Sequence, residues 1–339
     1  MTAATRSRLL LGLKVFGTLV LVAFLLTKLP LREVEAALHS PRWGWLMLSF
    51  AIYAVSAVLG AWQWALILRG VGINATWAEI SRLYHIGLFF NNFLPANIGG
   101  DAWKILDLGA RDGRRAGVLA ATLLDRLIGL AALTLLACAA MGVAGAMAIP
   151  LPPVSLALLP VGVLLFAAMA VLLSRRLGAL LVQMAVRVGL GRFAGPLTQF
   201  AGDLHRLRPR VAWLNGVFGL SLGIQLLRLL THLAAARGLG LELDLAASLQ
   251  LLVLIPLLAL SLTLPISING IGLRESVSAS LLTWAGLAAP QAVAMELAAY
   301  LVQVAYSLVG GVMLWRHRRP AAAGPGTPPA PVSGTDREP

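Results

Sequence analysis

A single cysteine, Cys138, in 339 residues excludes an intramolecular disulfide and any cysteine-built metal cluster. Charge is scarce: Asp, Glu, Lys and Arg together make up 12% of the chain, with 14 acidic residues against 27 basic ones. The five histidines, His39, His85, His205, His232 and His317, stand singly and without metal-ligand spacing. No S-x-x-K element, no P-loop and no G-x-G-x-x-G fingerprint occur. These absences leave no expected metal or cofactor and no bound ATP to drive a reaction. No stretch in these residues is long and polar enough for a soluble catalytic domain.

What fills the chain instead is hydrocarbon. Hydrophobic residues make up 59% and the mean hydropathy is +0.84, far outside the range of soluble domains. Apolar runs of about 20 residues, the length that crosses a bilayer as a helix, recur along the sequence and argue against a barrel. They lie near 9–29, 45–68, 117–148, 154–173, 212–235, 244–264, 267–288 and 292–315. The expected fold is an all-α polytopic membrane protein of about eight transmembrane helices, forming one domain over residues 9–319 behind a short cytoplasmic segment, 1–8. The first run follows Arg6 and Arg8 but is too long for a signal peptide and lacks a small-residue cleavage site, so it reads as an uncleaved anchor, with Lys14 snorkelling.

The formal net charge of +13 follows the positive-inside pattern. With the N-terminus cytoplasmic, 19 of the 27 Lys and Arg fall in inner segments and four in outer loops, which puts both termini in the cytoplasm of a bacterium and the chain in its inner membrane. An anionic leaflet accounts for the basicity, and no nucleic-acid module accompanies it. Between the fourth and fifth runs, over about 174–211, Leu177, Leu180, Leu181, Met184 and Val188 recur at helical spacing against Arg175, Arg176 and Arg187, as in a helix lying on the membrane surface. The Pro-, Gly- and Ala-rich end, 320–339, reads as a disordered tail.

Two segments break the apolar pattern, FLPANIGGDAWK over 93–104 and TLPISINGIGLRE over 263–275. Non-helical backbone survives at membrane depth only inside protein or beside a water-filled cavity. The segments match at Leu94 and Leu264, Pro95 and Pro265, Ile98 and Ile268, and Gly100 and Gly270, all 170 residues apart. Interrupted segments at corresponding places in two halves are the pattern of an internal repeat built around a central site.

The run NNFLPANIGGDAWK, the Asp125–Arg126 pair in ATLLDRLIGL, and LPISINGIGLRE, in that order, resemble the lysylphosphatidylglycerol synthase transmembrane (flippase-like) family over about residues 10–315. This sequence has Pro95–Ala96 where the family has Pro-Gly, and Lys104 where an Arg usually follows Gly-Gly-Asp by three. Lysine offers a point charge rather than a planar fork to a phosphate. The namesake synthases add a soluble domain that makes the aminoacylated lipid. The resemblance here implies the portion that moves lipid between leaflets, with a membrane lipid as partner and no synthase reaction.

Candidate substrate-binding residues come from the breaks and from charges inside the spans. The first break contributes Asn92, Pro95, Asn97, Gly99, Gly100, Asp101 and Lys104, with Asp101 expected as a helix N-cap and the glycines open either to a ligand or to a plain turn. The second contributes Pro265, Asn269, Gly270, Gly272, Arg274 and Glu275. Asp125 and Arg126 lie inside an apolar span and point about 100° apart, so each needs its own partner. Arg274 is expected for Asp125, and Glu275 or a lipid phosphate for Arg126; a purely structural ion network is the competing reading. Gln225, Arg228 and His232 share one helix face, Arg228 being a deep cation. Glu296, Tyr300, Gln303 and Ser307 form a second polar stripe, with Glu296 expected near water at a helix end. Trp43, Trp45, Trp62, Trp64, Trp77 and Trp103 read as interface-belt residues.

The sequence thus supports a translocase for an anionic or isoprenoid-derived lipid. Two alternatives stand beside it: a non-transporting partner delivering lipid to a separate synthase or glycosyltransferase, and an intramembrane transferase using Asp101 or Asp125 as base.

Overall fold

In hydrocarbon a backbone amide must find its partner within its own segment, so the apolar runs become helices. The computed structural model describes residues 41–93, 99–174, 194–205, 211–263 and 273–316, with isolated helical positions between 176 and 187. Regular structure among them is entirely helical: α1 (Trp43–Gly70), α2 (Trp77–Phe93), α3 (Gly99–Arg111), α4 (Arg115–Ala146), α5 (Leu158–Leu173), α6 (Ala194–His205), α7 (Val211–Gly238), α8 (Leu245–Ser261), α9 (Leu273–Leu281) and α10 (Ala289–Arg316). Among the described residues five segments are long and apolar enough to cross a membrane, namely α1, α4, α5 with the 3₁₀ turn before it, α7 and α10. The chain is a multi-pass membrane protein.

The ends of the elements follow from local chemistry. Gly72, at φ 82°, closes α1 and lets the Ile73 amide reach the Leu68 carbonyl at 2.9 Å. Gly240, at φ 77°, closes α7 in the same way, with the Leu241 amide on the Ala236 carbonyl at 3.1 Å. The Asp244 carboxylate caps α8 by accepting from the Ala247 amide at 2.7 Å, and the Thr76 hydroxyl accepts from the Glu79 amide at 3.3 Å at the start of α2.

Two expected spans are not single crossing helices. The run at 244–264 is the 17-residue α8, and the run at 267–288 is described only from α9, nine residues long, through a 3₁₀ turn, Leu282–Ala285, that Gly286 ends at φ 75°. Both helices are shorter than the roughly 20 residues a crossing requires. α2 ends and α3 begins on either side of the first motif, and α8 ends and α9 begins on either side of the second. Residues 94–98 and 264–272, the anchor run at 9–29, and the tail at 320–339 lie outside the described residues. The described positions of the connector are helical and end in α6, with Leu180 exposed. Arg114 ties α6 to the bundle, donating to Asp203 at 2.5 Å and to the Val71 and Gly72 carbonyls at 3.0 and 2.9 Å.

At the centre α1 and α7 run antiparallel: the Arg42 amide donates to the Gly238 carbonyl at 2.9 Å, and the Ser49 hydroxyl to the Thr231 carbonyl at 2.9 Å. α2 packs on α10, α4 on α8, and α3 between α2 and α4. Lipid tails are as apolar as leucine, so helix association rests on close packing through small residues. A β-carbon at Gly310 would overlap the His85 carbonyl of α2, and one at Gly100 would overlap the Gly87 carbonyl. Ala120, Ala121, Ala131 and Ala132 give α4 a similarly smooth buried face. Trp64, Ile67, Leu68, Leu124 and Ile128 fill the core of the first half, and Leu229, Leu251, Leu254 and Met295 that of the second. Large apolar side chains that remain exposed, including Val163, Leu164 and Trp315, suit a surface solvated by lipid.

Because the obstacle at Gly310 is backbone, Gly310→Ala is expected to destabilise the protein in detergent by about 1–3 kcal/mol, the usual cost of overpacking. Gly142→Ala, where nothing lies within 4 Å, is the control. Thermal unfolding of the two variants checks this, and equal melting temperatures would contradict the packing argument.

Candidate functional site

The helices enclose a cavity of about 310 Å³ to which α1, α2, α3, α4, α7, α8, α9 and α10 all contribute. Its lining is unusually polar for the interior of a membrane bundle, and the polar groups fall into two clusters.

The first cluster surrounds α3. Lys104 is 5% exposed, with its ammonium 2.8 Å from the Asp101 carboxylate and over the rings of Trp64 and Tyr84, at 4.9 and 5.3 Å from their centroids. The other Asp101 oxygen accepts from Arg126 Nε at 2.7 Å, so one carboxylate links α3 to α4. Asp125 accepts from the Gln63 amide at 2.8 Å. The Gly100 amide, an orphan donor at the start of α3, donates to the Asn91 side-chain oxygen at 2.8 Å.

The second cluster centres on Glu296, 2% exposed. Arg274 of α9 pairs with it, and His232 Nε2 lies 3.2 Å from its other oxygen. His232 Nδ1 faces the Arg228 carbonyl at 3.0 Å, and the Arg274 guanidinium lies 4.5 Å from the centroid of Tyr300. Between the clusters, Arg228 makes one long contact, 3.5 Å, to the Tyr84 hydroxyl, and its Nε has no hydrogen-bond partner among the described residues.

Several expected partners are replaced. Arg126 pairs with Asp101, the side chain of its expected partner Glu275 lying outside the described residues, and Asp125 pairs with Gln63 rather than Arg274. Arg274 takes Glu296, which is buried instead of facing water because α9 packs over that part of α10. Asp101 is in the first turn of α3 and not its N-cap, since the helix already begins at Gly99. The room at Gly100 is taken by the Gly87 carbonyl. Asn92 lines the cavity and donates to the Leu88 carbonyl at 3.2 Å. Pro95, Asn97, Pro265, Asn269, Gly270 and Gly272, and the side chain of Glu275, lie outside the described residues.

Gln63, Tyr84 and Asn91 line the cavity without having been picked out from the sequence. A lone glutamine in the middle of an apolar span was the available signal for Gln63. Trp64 is fully buried under Lys104, whereas Trp43, Trp45, Trp62 and Trp77 are exposed as a belt would have them. Ser221 also lines the cavity, inside the run Gly219–Leu220–Ser221–Leu222–Gly223. This matches G-x-S-x-G, but it lies within the continuous helix α7, whereas a nucleophile elbow needs a sharp strand-to-helix turn.

Replacing Glu296 by Gln leaves Arg274 and His232 sharing no carboxylate. Removing one member of a buried ion pair costs about 3–5 kcal/mol, so Glu296→Gln is expected to lower the melting temperature well beyond Arg187→Gln, at an exposed position of the connector. Matching melting curves would show that the pair is not needed for folding.

No curated protein and no solved structure matches this chain at a significant level. Residues 9–311 match the family described as the lysylphosphatidylglycerol synthase TM region. The match spans both helix breaks and every residue lining the cavity, and the chain belongs to that family.

Proposed function

We propose that this protein moves a lipid with an anionic headgroup between the leaflets of a bacterial inner membrane. Family membership ties the chain to lipid handling. The observation that carries the finer reading is the charge balance of the cavity. Among the described residues Lys104, Arg126, Arg228 and Arg274 face it with the carboxylates of Asp125 and Glu296, Asp101 pairs with Lys104 and Arg126 beside it, and Arg228 has no carboxylate partner. An uncompensated cation inside a bundle is costly, and a phosphate entering the cavity relieves that cost.

Translocation follows from the same physics. The barrier to lipid crossing is removal of the headgroup from water, and a cavity lined by guanidinium, ammonium and amide groups substitutes protein dipoles for that water while the tails stay in lipid. The cavity has room for a headgroup and not for two acyl chains, which suits a path with the tails outside. Positive-inside charge supports cytoplasmic termini and an inner-membrane location.

The test is reconstitution of the whole chain into liposomes containing fluorescent lipids with phosphatidylglycerol, phosphatidylethanolamine, phosphatidylcholine or uncharged headgroups, followed by a leaflet-accessibility assay. Headgroup-dependent translocation favouring the anionic lipid is expected. Arg228→Gln is expected to slow it by about tenfold or more, the equivalent of one charge-assisted hydrogen bond, while Arg187→Gln stays within about twofold of the wild type because surface charges contribute little. Binding without translocation would support lipid delivery to another enzyme, chemical conversion of the lipid would support a transferase, and indifference to headgroup would remove the cavity's assigned role.

A further inference from the structure

The halves correspond in far more than one motif. α1 covers Trp43–Gly70 and α7 Val211–Gly238; α2 covers Trp77–Phe93 and α8 Leu245–Ser261. Each pair has both ends 168 residues apart. The same separation relates Arg69–Gly70–Val71–Gly72–Ile73 to Arg237–Gly238–Leu239–Gly240–Leu241, including the glycine at positive φ and the amide that reaches back five residues. It also relates the Thr76 cap to the Asp244 cap, each accepting from the amide three residues on. Past the breaks the separation becomes 170: α3 and α9 end at Arg111 and Leu281, and α4 and α10 at Ala146 and Arg316. From the end of α2 to the end of α3 is thus two residues shorter than from the end of α8 to the end of α9.

Tertiary contacts obey the same correspondence. α2 packs on α10, and its counterpart α8 packs on α4, the counterpart of α10. His85 meets Gly310, and the equivalent residues, Val253 and Ala140, share one core cluster. The equivalent helices α1 and α7 lie against each other antiparallel. An axis that exchanges two antiparallel neighbours must be perpendicular to them, and for membrane-crossing helices that places it in the plane of the membrane. The hairpins α2–α3 and α8–α9 then enter from opposite faces.

Under this correspondence Lys104 and Arg274 are the same position, on the short helix just after each break. Arg126 and Glu296 are likewise one position on the long helix that follows. The sign of the second position is reversed between copies, yet the tie between short and long helix persists, as Asp101 with Arg126 and as Arg274 with Glu296. Trp64, beneath Lys104, corresponds to His232, beside Glu296. Two cations related by the pseudo-twofold thus face one cavity, and each is held by a carboxylate.

We infer that α1–α4 and α7–α10 are two copies of one unit inserted in opposite orientations, and that Lys104 and Arg274 are two half-sites for a lipid phosphate, one serving each leaflet. This rests on the lipid-headgroup reading of the cavity. At each half-site the phosphate takes the place of the resident carboxylate on the cation, so charge is exchanged rather than exposed at both ends of the path. Asp101 retains Arg126 while Lys104 is engaged, and Glu296 retains His232 while Arg274 is engaged.

Two measurements test the inference. In a Cys138→Ser background, Asn74→Cys and Glu242→Cys place thiols at equivalent exposed loop positions after α1 and α7. A membrane-impermeant maleimide, applied to intact and to inverted membrane vesicles, is expected to label them from opposite faces; labelling from one face overturns the inverted repeat. Lys104→Gln, Arg274→Gln and the double variant are then compared in binding dihexanoyl phosphatidylglycerol in detergent and in translocating fluorescent phosphatidylglycerol in liposomes. Each single change is expected to cut translocation by about tenfold or more while binding stays within about threefold, because one half-site remains; the double change is expected to cut binding by about tenfold or more. Lys104→Arg and Arg274→Lys, which keep the charge, are expected to retain most activity and so separate loss of charge from loss of fold. If a single change abolishes binding as fully as the double change, the cations form one composite site and the two half-sites fall, while the headgroup reading stands. If the wild type binds no phosphate lipid, the headgroup reading falls with them, and the maleimide pattern decides whether the repeat survives.

Discussion

A charge inside a membrane bundle has to be matched where it stands, because neither lipid nor a dry protein core offers water to screen it. The arrangement around the cavity follows from that requirement. Asp101 answers both Lys104 and Arg126, and Glu296 answers both Arg274 and His232. In each case a single carboxylate joins a short helix to a long one, so the groups that satisfy the charges also position the interrupted segments. Buried ion pairs add little net stability relative to well-packed apolar residues. Under the proposed function, their retention is the condition for holding cations where a lipid phosphate would reach them.

The same constraint explains why the breaks lie where they do. An interrupted helix leaves unpaired amides and carbonyls, which at membrane depth require protein around them. The start of α3 shows one solution: the Gly100 amide is taken by Asn91, and the absence of a side chain at Gly100 lets the Gly87 carbonyl close over it. That glycine serves the packing of the hairpin, which in turn sets Lys104 one turn further along the cavity wall. Local structure, helix contact and site geometry are consecutive consequences of one small residue.

Small residues set the larger architecture as well. Helices in lipid gain nothing from burying apolar surface against one another beyond what lipid already provides, so contact distance decides which pairs associate. The approach of Gly310 to the His85 carbonyl brings α10 onto α2, and the small Ala137 and Ala140 of α4 let it pack on Val253 of α8. With α1 and α7 antiparallel between these pairs, polar groups distant in sequence, such as Arg228 and Tyr84, meet in one cavity.

Much of this was readable in the residues themselves. Apolar runs, scarce charge and two Gly/Pro-interrupted segments specify a helical membrane protein with breaks, since hydrocarbon forces helix wherever polar backbone has no other partner. The same rule made Asp125, Arg126, Arg228 and Arg274 conspicuous, because an ionisable residue in an apolar span is rarely idle, while Lys104 stood out through the first interrupted motif. Partner choice was not readable. Periodicity tells which face of a helix a residue occupies but not which helix lies opposite, and so Gln63, Asp101 and Glu296 emerged as partners only from the packing. The burial of Glu296 and Trp64, and the shortness of α8 and α9, were likewise tertiary outcomes. The sequence by itself determined that these charges lie within helices in a bilayer; the tertiary structure decided that they face one cavity and which of them neutralise one another, because Coulomb and hydrogen-bond partners depend on distances that only helix packing sets.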